Sequence, residues 1–139
     1  GFPGETDETV QDTVEFIKKS GLDFSRIQSW YYDPLTPIAE EKDKYMLEGQ
    51  SFQWSHKTMN SQRVCELIEE TILNLEEPVR WPMYYFEWTS IHQLNHKGVP
   101  FDRVKKFLKS YGSGIKEKLR TSRKEVSPAV IQQIKESCK

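Results

Sequence analysis

The chain has 139 residues, of which 36% are hydrophobic and 29% charged, and its mean hydropathy is −0.73. That length suits one ordinary domain and hardly two. No run approaches the ~18 apolar residues of a membrane span, and no basic, apolar, small-residue leader opens the chain. The two cysteines, Cys65 and Cys138, are too few and too far apart for a disulfide framework or for a cysteine-only metal or iron–sulfur site within these residues. Aromatic residues reach 12%, so a modest core is feasible despite the low apolar fraction.

The net charge of −1 conceals an uneven distribution. Residues 1–50 carry 5 basic and 11 acidic side chains, a balance of −6, and residues 51–96 carry 3 and 6, a balance of −3. Residues 97–139 carry 12 and 4, a balance of +8. Such a segment can be a solvated face, bind phosphates, dock on an acidic partner, or pair with the acidic body of the same chain. No recognition motif accompanies the charge, so nucleic acid is not an expected partner.

In chain order, Gly1-Phe2-Pro3-Gly4 cannot lie inside a helix. Thr6 suits an N-cap, with Asp7 and Glu8 in the first turn. Val10, Val14 and Ile17 then form an apolar stripe, Lys18 and Lys19 suit the last turn, and Gly21 suits the position after it, predicting a helix over 7–20. The β-branched and aromatic run 26–32 predicts a strand bounded by Asp33-Pro34. From Pro34 to Met59 the pattern is irregular, with a short acidic helix expected over Ala39–Leu47 and an extended pair at Phe52 and Trp54. Asn60 or Ser61 can cap a helix carrying Val64, Leu67, Ile68, Thr71 and Leu75. Pro82 suits the start of another, with Trp81, Tyr85, Trp88 and His92 on one side and Gly98-Val99-Pro100 as its end. Asp102 is expected to cap a helix that turns Val104, Phe107, Leu108 and Tyr111 inward and breaks at Gly112 and Gly114. Ser127-Pro128 opens a last helix with Val130, Ile131 and Ile134.

The opening hexapeptide carries the most chemistry. A strand ending in Gly-x-Pro-Gly-Glu and running into a capped helix sets backbone N–H groups at the carboxyl end of the strand, where ligands of α/β folds collect. Glu5 can accept from an amine, a ribose or a backbone group. A tight turn in which Glu5 merely helps to cap the helix is the structural alternative. His56 has the side chain for acid–base work or for a surface or capping role. His92 and His96 are spaced i, i+4 but lack a third ligand, and residue 93 is Gln rather than the Glu of a His-Glu-x-x-His site. The aromatics Trp81, Tyr84, Tyr85 and Trp88 read as a seam between helices, and Cys65 as a small buried hydrophobe. Neither cysteine has a neighbouring base, Ser29 and Ser55 have no elbow motif, and no residue is assigned a catalytic role.

Gly1-Phe2-Pro3-Gly4-Glu5-Thr6, a helix, Gly21-Leu22-Asp23, an aromatic strand and then Tyr32, Thr36 and Pro37 follow in an order that resembles the second half of the radical S-adenosylmethionine (radical SAM) catalytic domain. The resemblance covers residues 1–38. It implies an α+β, mainly helical chain: a βα(β) remnant of a partial (β/α)6 barrel over 1–48, followed by a C-terminal helical extension over 49–139. It implies that Gly1, Pro3, Gly4 and Glu5 border bound S-adenosylmethionine, that Trp30 and Tyr32 line the same cleft, and that a [4Fe–4S] cluster sits on a Cys-x-x-x-Cys-x-x-Cys loop upstream in the same polypeptide. Reductive cleavage of S-adenosylmethionine would there generate the radical that attacks a small-molecule or peptide substrate. These residues alone would hold neither cluster nor activity. The segment Trp54-Ser55-His56-Lys57-Thr58-Met59 resembles a region following the barrel in cobalamin-binding members such as the phosphinate P-methyltransferase family. This implies a cobalamin-dependent methyl transfer, with His56 near the substrate. Oxygen-sensitive clusters and few cysteines imply a cytoplasmic setting. A non-enzymatic helical module binding a polyanion through Lys105, Lys106 and Lys109 is the alternative. If the sheet is mostly elsewhere, the first forty residues are expected to be the poorest packed.

Overall fold

A computed structural model describes residues 1–81, 88–122 and 124–138 of the chain, and for Trp88 the backbone alone. The expected helix after the opening turn is present as α1, Asp7–Lys19. Thr6 and Thr9 cap it reciprocally: the Thr6 hydroxyl accepts from the Thr9 N–H at 3.3 Å and the Thr9 hydroxyl from the Thr6 N–H at 2.9 Å. The chain then forms β1 (Phe24–Ser25), α2 (Lys42–Tyr45), β2 (Glu48–Gln50), β3 (Gln53–His56), β4 (Met59–Asn60) and α3 (Ser61–Asn74). After these come β5 (Val79–Arg80), α4 (Trp88–His96), α5 (Phe101–Thr121) and α6 (Pro128–Ser137). The class is α+β with helices predominating, as the pattern predicts.

Residues 1–20 and 27–71 make one compact unit. Its sheet is an antiparallel meander, β2-β3-β4, with Gly49 opposite Trp54 and His56 opposite Met59. Its core gathers Tyr32, Leu47, Trp54, Met59, Val64 and Leu67, with Val10, Trp30 and Tyr45 packed against them. The Asn60 side chain accepts from the Arg63 N–H at 2.8 Å, the cap expected for α3. Arg63 pairs with Glu66 on its own helix and with Asp7 in the first turn of α1, each at 2.9 Å.

Residues 21–26 and 72–139 make the second unit. Here β1 pairs in parallel with β5, Phe24 beside Val79 and Ser25 beside Arg80. Val79, Trp81, Ile91, Val104 and Leu108 form the core, and Phe24 stands edge-on to Trp81 with ring centroids 5.3 Å apart. α6 lies on α5: Glu117 accepts from the Ser127 N–H at 2.8 Å and its hydroxyl at 2.7 Å, and the Ser127 hydroxyl caps α6.

Several expectations are corrected. Of the strand expected over 26–32 only an isolated bridge between Tyr32 and Ser51 forms, β1 lying just before it, so no βα(β) barrel remnant is seen among the described residues. The helix expected over Ala39–Leu47 is a 3-10 turn at Pro37–Glu41 running into α2. Trp81 follows β5 instead of lying on a helix, and Pro82, Tyr84 and Tyr85 lie outside the described residues. Pro100, not Asp102, occupies the N-cap of α5, and that helix continues through Gly112 and Gly114. Cys65 is exposed on α3.

Candidate functional site

The opening turn is built by its own residue types. The Glu5 N–H donates to the Phe2 carbonyl at 2.9 Å, closing a four-residue turn. Pro3 occupies its second position and Gly4, with φ +99°, its third, the placement that a type II turn demands of proline and glycine. Gly1 is required for another reason. A Cβ there would lie 2.6 Å from Val64 Cγ2 and 2.7 Å from Trp54 Cη2, so the backbone rests directly on the core. Helix α1 leaves the turn two residues later, so its positive N-terminal end adjoins Glu5.

The turn is held from below by the segment Trp54–Thr58. His56 Nε2 lies 3.2 Å from the Gly1 carbonyl oxygen. The Thr58 hydroxyl donates to the Glu5 carbonyl at 2.7 Å and lies 3.2 Å from His56 Nδ1. Trp54 stacks on His56 with centroids 5.3 Å apart and planes 4° from parallel. Trp30 meets Trp54 edge-on at 5.3 Å, stacks on Tyr32 at 5.4 Å and meets Phe2 at 5.5 Å. The Trp54 indole N–H donates to the Trp30 carbonyl at 3.0 Å.

All seven residues singled out in the sequence are thus tied by hydrogen bonds, ring contacts or turn geometry: Gly1, Pro3, Gly4, Glu5, Trp30, Tyr32 and His56. Pro3 is buried within the turn. Their exposure divides them. Tyr32 and His56 are 5% and 8% exposed, Trp30 is half-buried, and Phe2, Gly4 and part of Glu5 face outward. Burial pushes the His56 pKa below its ordinary value, against the hydrogen bond to Gly1 and the charge of Glu5, which raise it. Thr58 joins the Glu5 end of the turn to His56, which holds the Gly1 end. Its signal was present as the Thr of the Trp-x-His-x-Thr-Met segment, although the sequence assigned it no role.

Elsewhere the candidates disperse. His92 and His96 are exposed on α4, and no group of three or more His, Cys, Asp or Glu among the described residues could hold a metal ion. Cys65 and Cys138 are free and exposed, so the donor set does not fit an iron–sulfur cluster. In the second unit the basic helix α5 is paired with acidic neighbours. Lys105 contacts Asp23 at 2.9 Å, Lys116 contacts Glu76 at 2.7 Å, and Lys109 contacts Glu77. No helix among the described residues is long and apolar enough to cross a membrane.

No family model matches the chain, and no solved structure matches it. Among curated proteins it is similar to the tRNA-2-methylthio-N(6)-dimethylallyladenosine synthase of Buchnera aphidicola subsp. Schizaphis graminum (strain Sg). The two are 35% identical over 75 aligned residues, which cover 44% of this chain and 17% of that protein. The chain therefore spans a small part of the relative's length. At the level of the family, this similarity supports a resemblance to radical SAM enzymes at most. It supports neither cobalamin nor a phosphinate substrate.

Proposed function

We propose that the chain is the C-terminal part of a radical SAM enzyme, and that the Gly1–Glu5 turn forms one wall of its S-adenosylmethionine site. The observation that carries this reading is the turn itself. Gly1 lets the backbone approach the core, Gly4 takes a positive φ, and Glu5 presents a carboxylate beside the start of α1. These residues fit the cofactor's aminoacyl end: the carboxylate takes an ammonium group, and the backbone N–H groups take a carboxylate. Trp30 offers a half-buried ring at the side, backed by Tyr32. In the complete enzyme, S-adenosylmethionine and a [4Fe–4S] cluster supply radical chemistry. The residues here bind and orient, and the cluster's thiolates belong to a segment preceding Gly1.

The finer reading is a cobalamin-dependent methyltransferase of natural-product biosynthesis. It is supported by the segment Trp54-Ser55-His56-Lys57-Thr58-Met59. On that reading His56 acts on the substrate side through the turn it holds, since its ring is buried. The partners are the upstream part of the same polypeptide and a small-molecule or peptide substrate in the cytoplasm. The open reading frame continuous with Gly1 tests the family. A frame encoding Cys-x-x-x-Cys-x-x-Cys upstream is expected, and a start codon adjoining Gly1 with no such loop would overturn the proposal.

A further inference from the structure

The hydrogen bonds around His56 fix its protonation. A carbonyl oxygen only accepts, so the Nε2 that faces the Gly1 carbonyl carries the proton. Nδ1 is then the acceptor of a neutral ring, and the Thr58 N–H points at it from 3.4 Å. The Thr58 hydroxyl spends its one proton on the Glu5 carbonyl, its shortest contact at 2.7 Å. Each donor thus has an acceptor and no proton is used twice. The result is a clasp: two side chains from β3 and the loop after it hold the first and last carbonyls of the turn. Tying both carbonyls to the core side leaves Phe2 and Gly4 on the outer side, and the Gly4 N–H has no partner among the described residues.

We propose that His56 and Thr58 are positioning residues that lock the Gly1–Glu5 turn in the conformation that receives S-adenosylmethionine, without touching the ligand themselves. This rests on the cofactor reading above. The ring stacked on His56 serves the same end, since Trp54 also contacts the Gly1 backbone. The clasp acts at a distance of one peptide unit from the ligand, so its loss loosens the turn before it removes any ligand contact. Lowered affinity is then the entropic cost of reordering the turn on binding.

The test uses the full-length polypeptide with its cluster reconstituted. Two quantities are measured for wild type, Thr58→Val, Thr58→Ser, His56→Ala and Glu5→Gln: the Kd for S-adenosylmethionine, and the amide hydrogen exchange of residues 1–6 without ligand. Thr58→Val and His56→Ala are each expected to weaken binding by about tenfold, the loss of one hydrogen bond's worth of order. Both should speed exchange in the turn, and Thr58→Ser, which keeps the hydroxyl, should restore wild-type values. Glu5→Gln separates the two readings, since it should weaken binding while leaving exchange in the unliganded turn unchanged. If Glu5→Gln weakens binding and Thr58→Val does not, the clasp is overturned and the cofactor reading stands. If wild type binds no S-adenosylmethionine, the cofactor reading fails and the positioning role falls with it. Should His56→Ala not fold, the Thr58 pair alone decides: equal affinity and equal exchange in Val and Ser variants overturn the proposal.

Discussion

At the residue scale, His56 joins structure to pH. Its ring is buried against Trp54 and neutral, and burial sets its folded pKa below the ordinary value of about 6.5. Between the depressed folded pKa and that value, the unfolded chain binds more protons than the folded one, so stability rises with pH. The contribution is complete above the unfolded pKa and is lost as pH falls through the folded one. Protonation also sets a hydrogen on Nδ1 opposite the Thr58 N–H, with Glu5 the acidic group facing the ring. Urea denaturation across pH 4–7 is expected to show a steeper fall toward acid for wild type than for His56→Gln. Parallel curves would contradict a buried neutral ring. Much of this site was legible in the sequence, because Pro3 and Gly4 announce their turn and Thr6 its cap. The clasp was not. Residues 53 to 55 positions apart meet there, and nothing local to Thr58 says that its hydroxyl reaches Glu5.

Elements with strong local signals matched the sequence. Capping residues and apolar spacing place α1, α3 and α6 within a residue or two. The β2-β3-β4 meander escaped because β2, Glu48–Gln50, is wholly exposed and polar and shows no alternation. The strand expected over 26–32 has the right composition, yet only its Tyr32 finds a backbone partner, and Trp30 and Tyr32 serve the aromatic core instead. Helix α5 overrides the propensity of its two glycines because α6 packs on it. A Cβ at Gly114 would lie 3.4 Å from Val130 Cγ1 and 3.6 Å from Val126, whereas one at Gly112 meets nothing within 4 Å. Gly112→Ala is therefore expected to stabilise the protein by about 0.5–1 kcal/mol. Gly114→Val should destabilise it by about 1–3 kcal/mol, as side chains crowd the α5–α6 contact. Chemical denaturation of the two variants checks both signs, and a stabilising Gly114→Val would contradict the packing.

At the scale of the whole molecule, charge and apolar exposure are the informative features. The excess of positive charge after residue 96 is partly spent within the second unit, where Lys105, Lys109 and Lys116 face Asp23, Glu77 and Glu76. Of the three lysines on which polyanion binding would rest, Lys105 and Lys109 are paired. Titration with a nucleic acid is expected to show weak binding that is little changed when Lys105, Lys106 and Lys109 are neutralised. Tight, salt-sensitive binding lost in that triple variant would favour the interaction-module reading. The N-terminal part exposes Phe2, Phe16, Leu22, Tyr31 and Leu35, Leu35 to 93%. Yet Tyr32 and Val14 are buried, Tyr32 in the core it shares with Leu47, Trp54 and Val64.

The central claim is that the Gly1–Glu5 turn receives S-adenosylmethionine. Hydrogen–deuterium exchange of the full-length polypeptide, with and without saturating S-adenosylmethionine, tests it most directly. The account predicts protection concentrated in residues 1–6 and the start of α1, with α5 and α6 unchanged. Bound ligand that leaves residues 1–6 exchanging at their free rate would contradict it.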